Sequence, residues 1–254
     1  MILAIANQKG GVGKTTTAQA LAAGLNNQGE KTLLVDLDPQ CNLTYSVGID
    51  PDSVKLSVAD LLEKKAAASD AIIHAAEGDI IPGNYLLTDA DIRFTKKGRE
   101  QLLSDALKNV CKQYRHIIID CPPTIGILTI NALATADSVL IPLTASIYSL
   151  QGLGQLNAAI KNTQKYCNPS LTVNGLLLTR YRQANFSQQT RDAVKQIAKQ
   201  LNTRLYDTVI REGIAIAESQ ALQGSIFKTA PKSGVASDYA AFIGEFLKGE
   251  KDNG

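Results

Sequence analysis

Long apolar runs, a leader segment and paired cysteines are all missing from this sequence of 254 residues. No apolar stretch approaches the roughly 20 residues that a membrane-spanning helix requires, so we expect no transmembrane segment. The chain opens on a strand-like apolar run without a basic lead or a cleavage site, which argues against a signal peptide. The cysteines form no C-x-x-C pair and no metal-ligand spacing, so we expect reduced thiols in a cytosolic protein. They are Cys41, Cys111, Cys121 and Cys167.

Internal repeats, low-complexity tracts and linkers are missing as well. We therefore expect a single domain over residues 1–248, followed by a disordered polar tail at 249–254. The formal net charge of +2 conceals an uneven distribution, because residues 161–232 carry 11 basic and 4 acidic side chains. Residues 1–150 carry 13 basic and 16 acidic side chains. A basic segment of this kind is typical of a solvated surface or of a surface that binds a polyanion.

Short runs rich in Val, Ile and Leu alternate with helix-like segments along the chain. The predicted strands are 2–6, 32–36, 116–120, 138–142 and 173–179. The predicted helices are 15–27, 59–65, 98–113, 150–166, 187–201 and 237–248. Several strands are apolar at successive positions, as in strands that are covered on both faces. The sequence therefore predicts an α/β fold with a single doubly wound, mostly parallel sheet and helices on both faces.

A glycine-rich turn follows the first predicted strand. Residues 7–16 read N-Q-K-G-G-V-G-K-T-T and lead into a predicted helix, which is the strand–loop–helix arrangement of a P-loop. The glycines let backbone N–H groups converge on one point, and the helix adds the positive end of its dipole. Lys14 can then reach the β- and γ-phosphates of ATP, and the Thr15 hydroxyl can ligate Mg²⁺. The predicted nucleotide-binding residues are Lys9, Gly10, Gly11, Val12, Gly13, Lys14, Thr15 and Thr16.

This loop resembles the deviant P-loop, K-G-G-x-G-K-[ST], of the ParA/MinD family of ATPases. Gln8 stands where the usual pattern has its first glycine, and Lys9 follows it. The resemblance implies that Lys9 reaches across an ATP-dependent homodimer to the nucleotide of the partner. A second cation at the phosphates would stabilise the charge that develops during phosphoryl transfer. Lys9 and Lys14 are thus both implied catalytic residues.

Three aspartates end two further predicted strands. The segments L-L-V-D-L-D-P-Q at 33–40 and H-I-I-I-D-C-P-P at 116–123 are similar to two more motifs of the same family. The resemblance implies that Asp38 orients or activates the attacking water, that Asp36 supports the magnesium shell and that Asp120 holds Mg²⁺ through water. Ligands bind at this end of the strands in open α/β sheets. Taken singly, each aspartate is also typical of a helix cap or a turn.

Other segments are similar to the ParA/Soj-type DNA-partitioning ATPases in particular. They include A-D-S-V-L-I-P-L at 136–143, and the likeness extends from residue 1 to about residue 245. The base-contacting Pro and Asn of the family correspond to Arg211 and Gly213, which are the implied base contacts here. A basic residue implicated in DNA binding corresponds to Ala215, so a DNA surface would have to be built differently.

The predicted helix at 187–201 provides one such surface. Its apolar residues share one face, while basic residues recur every four positions on another. The apolar residues are Val194, Ile197, Ala198 and Leu201, and the basic stripe consists of Arg191, Lys195 and Lys199. A stripe of this kind can contact phosphates along a DNA duplex. A solvated helix face is the alternative interpretation.

Taken together, the resemblance implies an ATPase that forms a homodimer on ATP and binds double-stranded DNA without sequence preference. It would partition a plasmid or chromosome, in the cytoplasm and on the nucleoid, and a ParB-type centromere-binding protein would stimulate its hydrolysis of ATP. No helix-turn-helix segment precedes the P-loop strand, so we expect no operator binding.

The main alternative is a MinD-like or other cargo-positioning ATPase that acts on a membrane or protein surface. Residues 241–252 contain two glycines and charges of both signs, which does not favour a basic membrane-binding helix. An electron-transfer ATPase would need its cysteines in another arrangement. A metabolic ligase or kinase would need a second substrate pocket, for which the sequence has no motif.

Overall fold

One sheet forms the centre of the molecule. The computed structural model describes the backbone of residues 1–144, 147–182 and 188–252, and the side chains of residues 1–144, 153–182 and 192–250. The strands in these ranges are β1 (Ile2–Ile5), β2 (Thr32–Asp36), β3 (Ile73–Ala75), β4 (Gly78–Ile81), β5 (His116–Asp120), β6 (Ser138–Thr144), β7 (Thr172–Tyr181) and β8 (Leu205–Arg211).

Helices connect these strands. They are α1 (Lys14–Asn27), α2 (Asn42–Ser46), α3 (Val58–Leu62), α4 (Ala68–Ala71), α5 (Ala90–Arg93), α6 (Leu102–Leu107), α7 (Ile127–Thr135), α8 (Ile147–Tyr166), α9 (Gln188–Gln200), α10 (Ile214–Ala221), α11 (Ile226–Thr229) and α12 (Gly234–Asp252). Within the described ranges, no helix combines the length and the apolar character needed to cross a bilayer.

The strand order is β3-β4-β2-β5-β1-β6-β7-β8, and every neighbouring pair is parallel except β3 with β4. The chain leaves β1 toward one edge of the sheet and later returns to place β6 on the other side of β1. Such a reversal opens a crevice at the carboxyl ends of the central strands. The prediction of a single, mostly parallel sheet is confirmed.

Both faces of the sheet are covered by helices. Leu3 and Ile5 on β1 point into a core with α1 and α12, whereas Ala4 joins a second core with α3, α6, α7, α8 and α9. Alternation along the strand therefore divides the interior into two layers, as the successive apolar residues indicated. In the first layer, the rings of Tyr206 and Phe242 meet edge to face with centroids 4.9 Å apart.

Several helices differ from their predicted bounds. The strongly apolar helix α7 was not predicted, because it lacks the polar face that marks an amphipathic helix. Within the segment predicted as one helix at 98–113, α6 covers only Leu102–Leu107. The left-handed backbone of Gly98, with φ of 85°, precedes it. Lys64 has φ of 59°, and α3 accordingly ends at Leu62.

The carboxyl-terminal helix is longer than predicted. We expected a disordered tail from residue 249, but α12 continues to Asp252. The absent side chain of Gly249 leaves room for the guanidinium of Arg204, which a Cβ at that position would overlap. Glu250 is only 19% exposed and lies 3.8 Å from the ring of His116. These contacts extend the helix, and residues 253 and 254 of the predicted tail lie outside the described residues.

Replacing Phe242 by Ala tests the layer between the sheet and α12. The Phe242 side chain is 0% exposed, so its truncation should lower the free energy of unfolding by about 3–5 kcal/mol. Urea denaturation measures this change. The control is Tyr166→Ala, because Tyr166 is 70% exposed at the end of α8 and its loss should cost about 0.5 kcal/mol or less. Equal losses for the two variants would contradict this description of the core.

Candidate functional site

The glycine-rich loop begins at the carboxyl end of β1. Asn7 attaches it to β6, because the Asn7 amide nitrogen donates to the carbonyl oxygen of Pro142 at 2.7 Å. The Asn7 side-chain oxygen accepts from the backbone N–H of Lys9 at 3.0 Å. Gly11 and Gly13 have φ of 70° and 82°, in the left-handed region that glycine enters without strain. The loop therefore requires glycine at these two positions.

Strand β7 holds the other side of the loop. The hydroxyl of Thr179 lies 2.7 Å from the carbonyl oxygen of Val12 and 3.2 Å from that of Leu143. One residue later, the Arg180 guanidinium donates to the carbonyl oxygen of Gly11 at 3.2 Å. Protein donors on β7 therefore bind the carbonyl oxygens of Val12 and Gly11 and attach the loop to the sheet.

A cleft of about 800 Å³ opens over this loop. Its volume is in the range of small-molecule and cofactor sites. The loop and the start of α1 line one part of it through Gly10, Gly11, Gly13, Lys14, Thr15 and Thr16. Another part is mainly apolar and is lined by Tyr45, Ile210, Gly213, Ile216, Ala217 and Ala221. A polar end and an apolar end in one cleft suit the phosphates and the base of a nucleotide.

Lys14 is a buried cation at the start of α1. It is 7% exposed, and its Nζ lies 3.4 Å from the carbonyl oxygen of Lys9. Burial lowers the pKa of Lys14, while the neighbouring Asp120, Cys121 and Asp38 act in the opposite direction. A cation that is poorly solvated by water is well placed to bind phosphate oxygens.

Asp120 lies beneath the loop with no exposed surface. Neither of its carboxylate oxygens has a hydrogen-bond partner among the described residues. Burial raises the pKa of Asp120 well above its usual range, and Asp36 adds to the rise, whereas the Thr15 hydroxyl and Lys14 oppose it. An unpartnered buried carboxylate is unfavourable unless a cation or water compensates it. These oxygens therefore fit a hydrated magnesium ion.

The described residues contain no group of three His, Cys, Asp or Glu side chains that could hold a metal by themselves. Magnesium in nucleotide sites commonly takes only one or two carboxylates, together with phosphates and water. Asp120 and the Thr15 hydroxyl match such a partial ligand set.

Asp36 accepts hydrogen bonds from protein donors at both of its carboxylate oxygens. One of its oxygens accepts from the Asp38 amide at 3.1 Å, and the other accepts from the Thr44 amide at 2.9 Å and the Thr44 hydroxyl at 2.7 Å. The Thr44 hydroxyl in turn accepts from the Gly83 amide at 2.9 Å. We expected Asp36 in the magnesium shell. Its hydrogen bonds join the segment of Asp38 to α2 beside Asp120, and the role in the magnesium shell stays a prediction.

Asp38 is the aspartate that lines the cleft. It is 7% exposed, and one of its carboxylate oxygens accepts a hydrogen bond from the backbone N–H of Gln40 at 3.0 Å. Burial raises its pKa, while the Gln40 N–H and Lys14 act in the opposite direction. A carboxylate with a raised pKa at a cleft is suited to accept a proton from water. This position is compatible with the predicted role of Asp38 toward the nucleophile.

Comparison with known proteins identifies the family of this site. Residues 1–173 match the family AAA_31, an AAA domain. The sporulation initiation inhibitor protein Soj of Bacillus subtilis (strain 168) is 39% identical over 242 residues, which are 94% of this chain and 94% of Soj. The chromosome partitioning protein ParA of Myxococcus xanthus (strain DK1622) is 37% identical over 252 residues, which are 97% of this chain and 88% of ParA.

The chain belongs to the ParA/Soj family. It is also similar in structure to cobyrinic acid a,c-diamide synthase from Mycobacterium smegmatis, solved with bound ADP and magnesium. That protein is 34% identical, the TM-score is 0.85, and the match covers 100% of this chain and 96% of the synthase.

Two of the predicted loop residues turn away from the cleft. Val12 is fully buried, and its carbonyl oxygen is bound by Thr179. The side chain of Lys9 is partly exposed and is not among the described groups that line the cleft. The ParA/Soj resemblance assigns Lys9 to the nucleotide of a second subunit, and its position outside its own cleft is compatible with that assignment.

Arg211 is not brought to the cleft. Its guanidinium pairs with Asp238 on α12, with both nitrogen–oxygen distances at 2.7 Å. Side chains alternate along β8, so Ile210 and Glu212 line the cleft while Arg211 points to α12. The base contact that the ParA/Soj resemblance implied for Arg211 is therefore contradicted, whereas Gly213 does line the cleft.

Sequence reasoning missed Arg180 and Glu212. Both line the cleft, and their side chains form an ion pair at 2.9 Å. Alternation along β8 could have placed Glu212 on the side opposite Arg211. No sequence pattern indicates Arg180, because it approaches the loop only when β7 takes its place in the sheet. Gln220 was also missed, and its amide lies 3.3 Å from the Thr16 hydroxyl.

The predicted basic stripe lies on α9. Lys195 and Lys199 are exposed, while Val194 and Ala198 are buried in the core. The predicted amphipathic helix is therefore confirmed for these four side chains. The side chain of Arg191, the third member of the stripe, lies outside the described residues.

A second basic region lies within residues 1–150, although acidic side chains outnumber basic ones in that segment. A cleft of about 860 Å³ beside α3 and α6 is lined by six basic residues and two acidic ones. The basic residues are Lys64, Lys65, Arg93, Lys96, Lys97 and Arg99, and the acidic residues are Glu63 and Asp105. Glu63 pairs with both Lys65 and Arg93. The net charge of residues 1–150 does not indicate this cluster, because acidic residues elsewhere in the segment offset its positive charge.

Thr44→Val tests the structural role of Asp36. The variant removes the hydroxyl that donates to Asp36 and accepts from Gly83, so the free energy of unfolding without nucleotide should fall by about 1–3 kcal/mol. Thr44→Ser keeps the hydroxyl and is the control. Urea denaturation measures both.

The same variant should show a pH dependence. Burial raises the pKa of Asp36 to about 6 in the folded state. The Thr44 hydroxyl stabilises mainly the ionised form of Asp36. The loss of unfolding free energy in Thr44→Val should therefore be larger at pH 7.5 than at pH 5. A role for Asp36 in metal binding alone predicts unchanged stability and a changed affinity for Mg²⁺.

Proposed function

We propose that this chain is a magnesium-dependent ATPase that partitions DNA. It binds ATP in the cleft, forms a homodimer on ATP and then binds double-stranded DNA without sequence preference. A ParB-type partner stimulates hydrolysis, and the protein works in the cytoplasm on the nucleoid. The observation that carries the proposal is the glycine-rich loop with the buried cation Lys14 beside the buried carboxylate of Asp120, which has no hydrogen-bond partner in the described part of the chain.

Different residues of one subunit bind the phosphates, the magnesium ion and the attacking water. The backbone N–H groups of the loop and the Lys14 ammonium hold the phosphates. Thr15 and Asp120 would hold Mg²⁺, which would neutralise phosphate charge. Asp38 orients the attacking water and accepts its proton, since Asp38 lines the cleft and burial raises its pKa. Asp36 keeps the loop that carries Asp38 in place by accepting from the Asp38 amide.

Lys9 completes the site of the partner subunit. Its backbone is held by Asn7 at 3.0 Å, while its side chain does not line its own cleft. A cation supplied across the interface stabilises charge that develops in phosphoryl transfer, as an arginine finger does. Hydrolysis then depends on the dimer, which couples the nucleotide to assembly.

Dimerisation also explains how ATP controls DNA binding. The stripe on α9 offers few cations per subunit, so a monomer binds DNA weakly. Joining two stripes makes the second contact effectively intramolecular and raises the overall affinity. The chromosome partitioning protein ParA among the relatives supports a partitioning role.

Two other functions have some support. A MinD-like or other cargo-positioning ATPase would use the same cleft on a membrane or protein surface. An ATP-dependent synthase is favoured by the 34% identity to cobyrinic acid a,c-diamide synthase. DNA binding that depends on ATP distinguishes partitioning from both.

Mixing Lys9→Ala with Lys14→Ala tests the assignment of Lys9 to the partner's site. Each variant alone should have less than about a hundredth of wild-type turnover, because each site lacks one cation. A heterodimer contains one site with both lysines, so the mixture should regain part of the activity. ATP turnover across mixing ratios measures this. If both lysines act on the same nucleotide within one subunit, no ratio restores turnover. Wild-type turnover by Lys14→Ala alone would contradict the P-loop assignment.

Charge reversal on α9 tests the DNA surface. Replacing Arg191, Lys195 and Lys199 together by Glu should abolish ATP-dependent binding to random duplex DNA, while basal hydrolysis continues. Binding by the wild type should require ATP and fall steeply with salt, because phosphate contacts release counterions. A salt titration with ATP, ADP and no nucleotide measures both effects.

The control reverses an equal number of charges in the second basic region, through Lys64→Glu, Lys96→Glu and Lys97→Glu. It should retain most of the ATP-dependent binding. Loss of binding in this control alone would move the DNA surface to the cleft beside α3 and α6. A wild-type protein that hydrolyses ATP without ATP-dependent DNA binding would favour the alternative functions.

A further inference from the structure

A row of alternating charges crosses the rim of the nucleotide cleft. Arg180 is its central member, with Nη1 at 3.2 Å from the carbonyl oxygen of Gly11 and Nη2 at 2.9 Å from a carboxylate oxygen of Glu212. The other oxygen of Glu212 accepts from Nε of Arg182. Arg180 and Glu212 line the cleft, whereas Arg182 does not.

The backbone directs Arg180 toward the loop. Arg180 has φ of 49°, a left-handed conformation that is uncommon for a residue with a side chain. The preceding residue, Thr179, is fixed by its contacts with Val12 and Leu143. The guanidinium is consequently held over Gly11, at the phosphate end of the cleft, rather than over the apolar end.

Glu212 places a negative charge beside Arg180 in the lining of the cleft. Its hydrogen bonds to Arg180 and Arg182 lower the pKa of the Glu212 carboxyl, so the group is ionised at neutral pH. A carboxylate and a phosphate oxygen are equivalent partners for a guanidinium. The nucleotide and Glu212 therefore compete for the same cation.

We propose that Arg180 is a nucleotide-binding residue that exchanges its bond to Glu212 for a bond to a phosphate oxygen of ATP. Glu212 holds the guanidinium in position over the loop until the nucleotide arrives. This inference rests on the proposed binding of ATP in the cleft. It adds a cation from the same subunit to the two lysines of the P-loop.

The two partners of this ion pair should have opposite effects on ATP affinity. Removing the cation with Arg180→Ala should weaken ATP binding by about tenfold or more, since hydrogen bonds between charged groups are among the stronger ones. Removing the competing charge with Glu212→Gln should strengthen ATP binding. If the pair only stabilises the loop, both variants weaken binding together. Isothermal titration calorimetry with ATP measures the dissociation constants without turnover if Asp38→Ala is present in every protein.

Arg182→Ala is the matched control. The substitution removes an arginine that, like Arg180, donates to Glu212. Because Arg182 does not line the cleft, ATP affinity should change by less than about fivefold. Arg180→Lys keeps the charge and should recover part of the affinity that Arg180→Ala loses. Thermal unfolding without nucleotide identifies any variant whose loop or fold is disrupted.

Titration with adenosine locates the contact along the nucleotide. Arg180→Ala should leave adenosine affinity unchanged while ATP affinity falls, because the inferred contact is to phosphate. An equal loss for adenosine and ATP would overturn the phosphate contact. Unchanged ATP affinity in Arg180→Ala, with a wild-type protein that binds ATP, would overturn the inference alone. A wild-type protein that does not bind ATP would overturn the proposed function and this inference with it.

Discussion

The contact between Thr179 and the carbonyl oxygen of Val12 joins residues 167 positions apart, and the geometry of the site depends on it. It attaches the phosphate loop to β7, while Asn7 attaches the same loop to β6. Gly13 lies against Thr179, where a Cβ would be 3.8 Å away. With the Asn7 side chain and the Val12 carbonyl bound to the sheet, less of the loop has to be ordered when a ligand binds.

Buried charge is the second constraint on this edge of the sheet. Asp36 and Asp120 are opposite each other on β2 and β5, and both are 0% exposed. Thr44 and Asp38 donate hydrogen bonds to Asp36, whereas Asp120 has no hydrogen-bond partner among the described residues. The first carboxylate stabilises the loops, and the second is available to a cation. Two similar residues at similar strand ends thus have different roles because their neighbours differ.

The two clefts differ in how their charges are arranged. In the nucleotide cleft, Lys14 is buried and Arg180 is held by Glu212 and the loop. A small number of cations therefore lies around the glycine-rich loop. In the cleft beside α3 and α6, the basic residues are numerous and mostly exposed. The first arrangement suits one small ligand with a defined orientation. The stripe on α9 is a third arrangement, in which exposed lysines follow one face of a helix and suit an extended polyanion.

The sequence alone predicted β1, β2, β5, β6 and β7 of the sheet, the glycine-rich loop and the strand ends next to Asp38 and Asp120, because these follow from local periodicity and from residues close together in the chain. It did not predict β3, β4 or β8. It could not show the hydrogen bonds of Asp36, since their donor Thr44 lies on α2 and meets Asp36 only in the folded chain. It placed Arg211 in the cleft, where the alternation of β8 instead directs Glu212. Nothing in the sequence indicated that Arg180 belongs to the site, because only the packing of β7 beside the loop brings its guanidinium within hydrogen-bonding distance of the Gly11 carbonyl oxygen. Contacts between distant segments depend on strand order and twist, which local patterns do not encode.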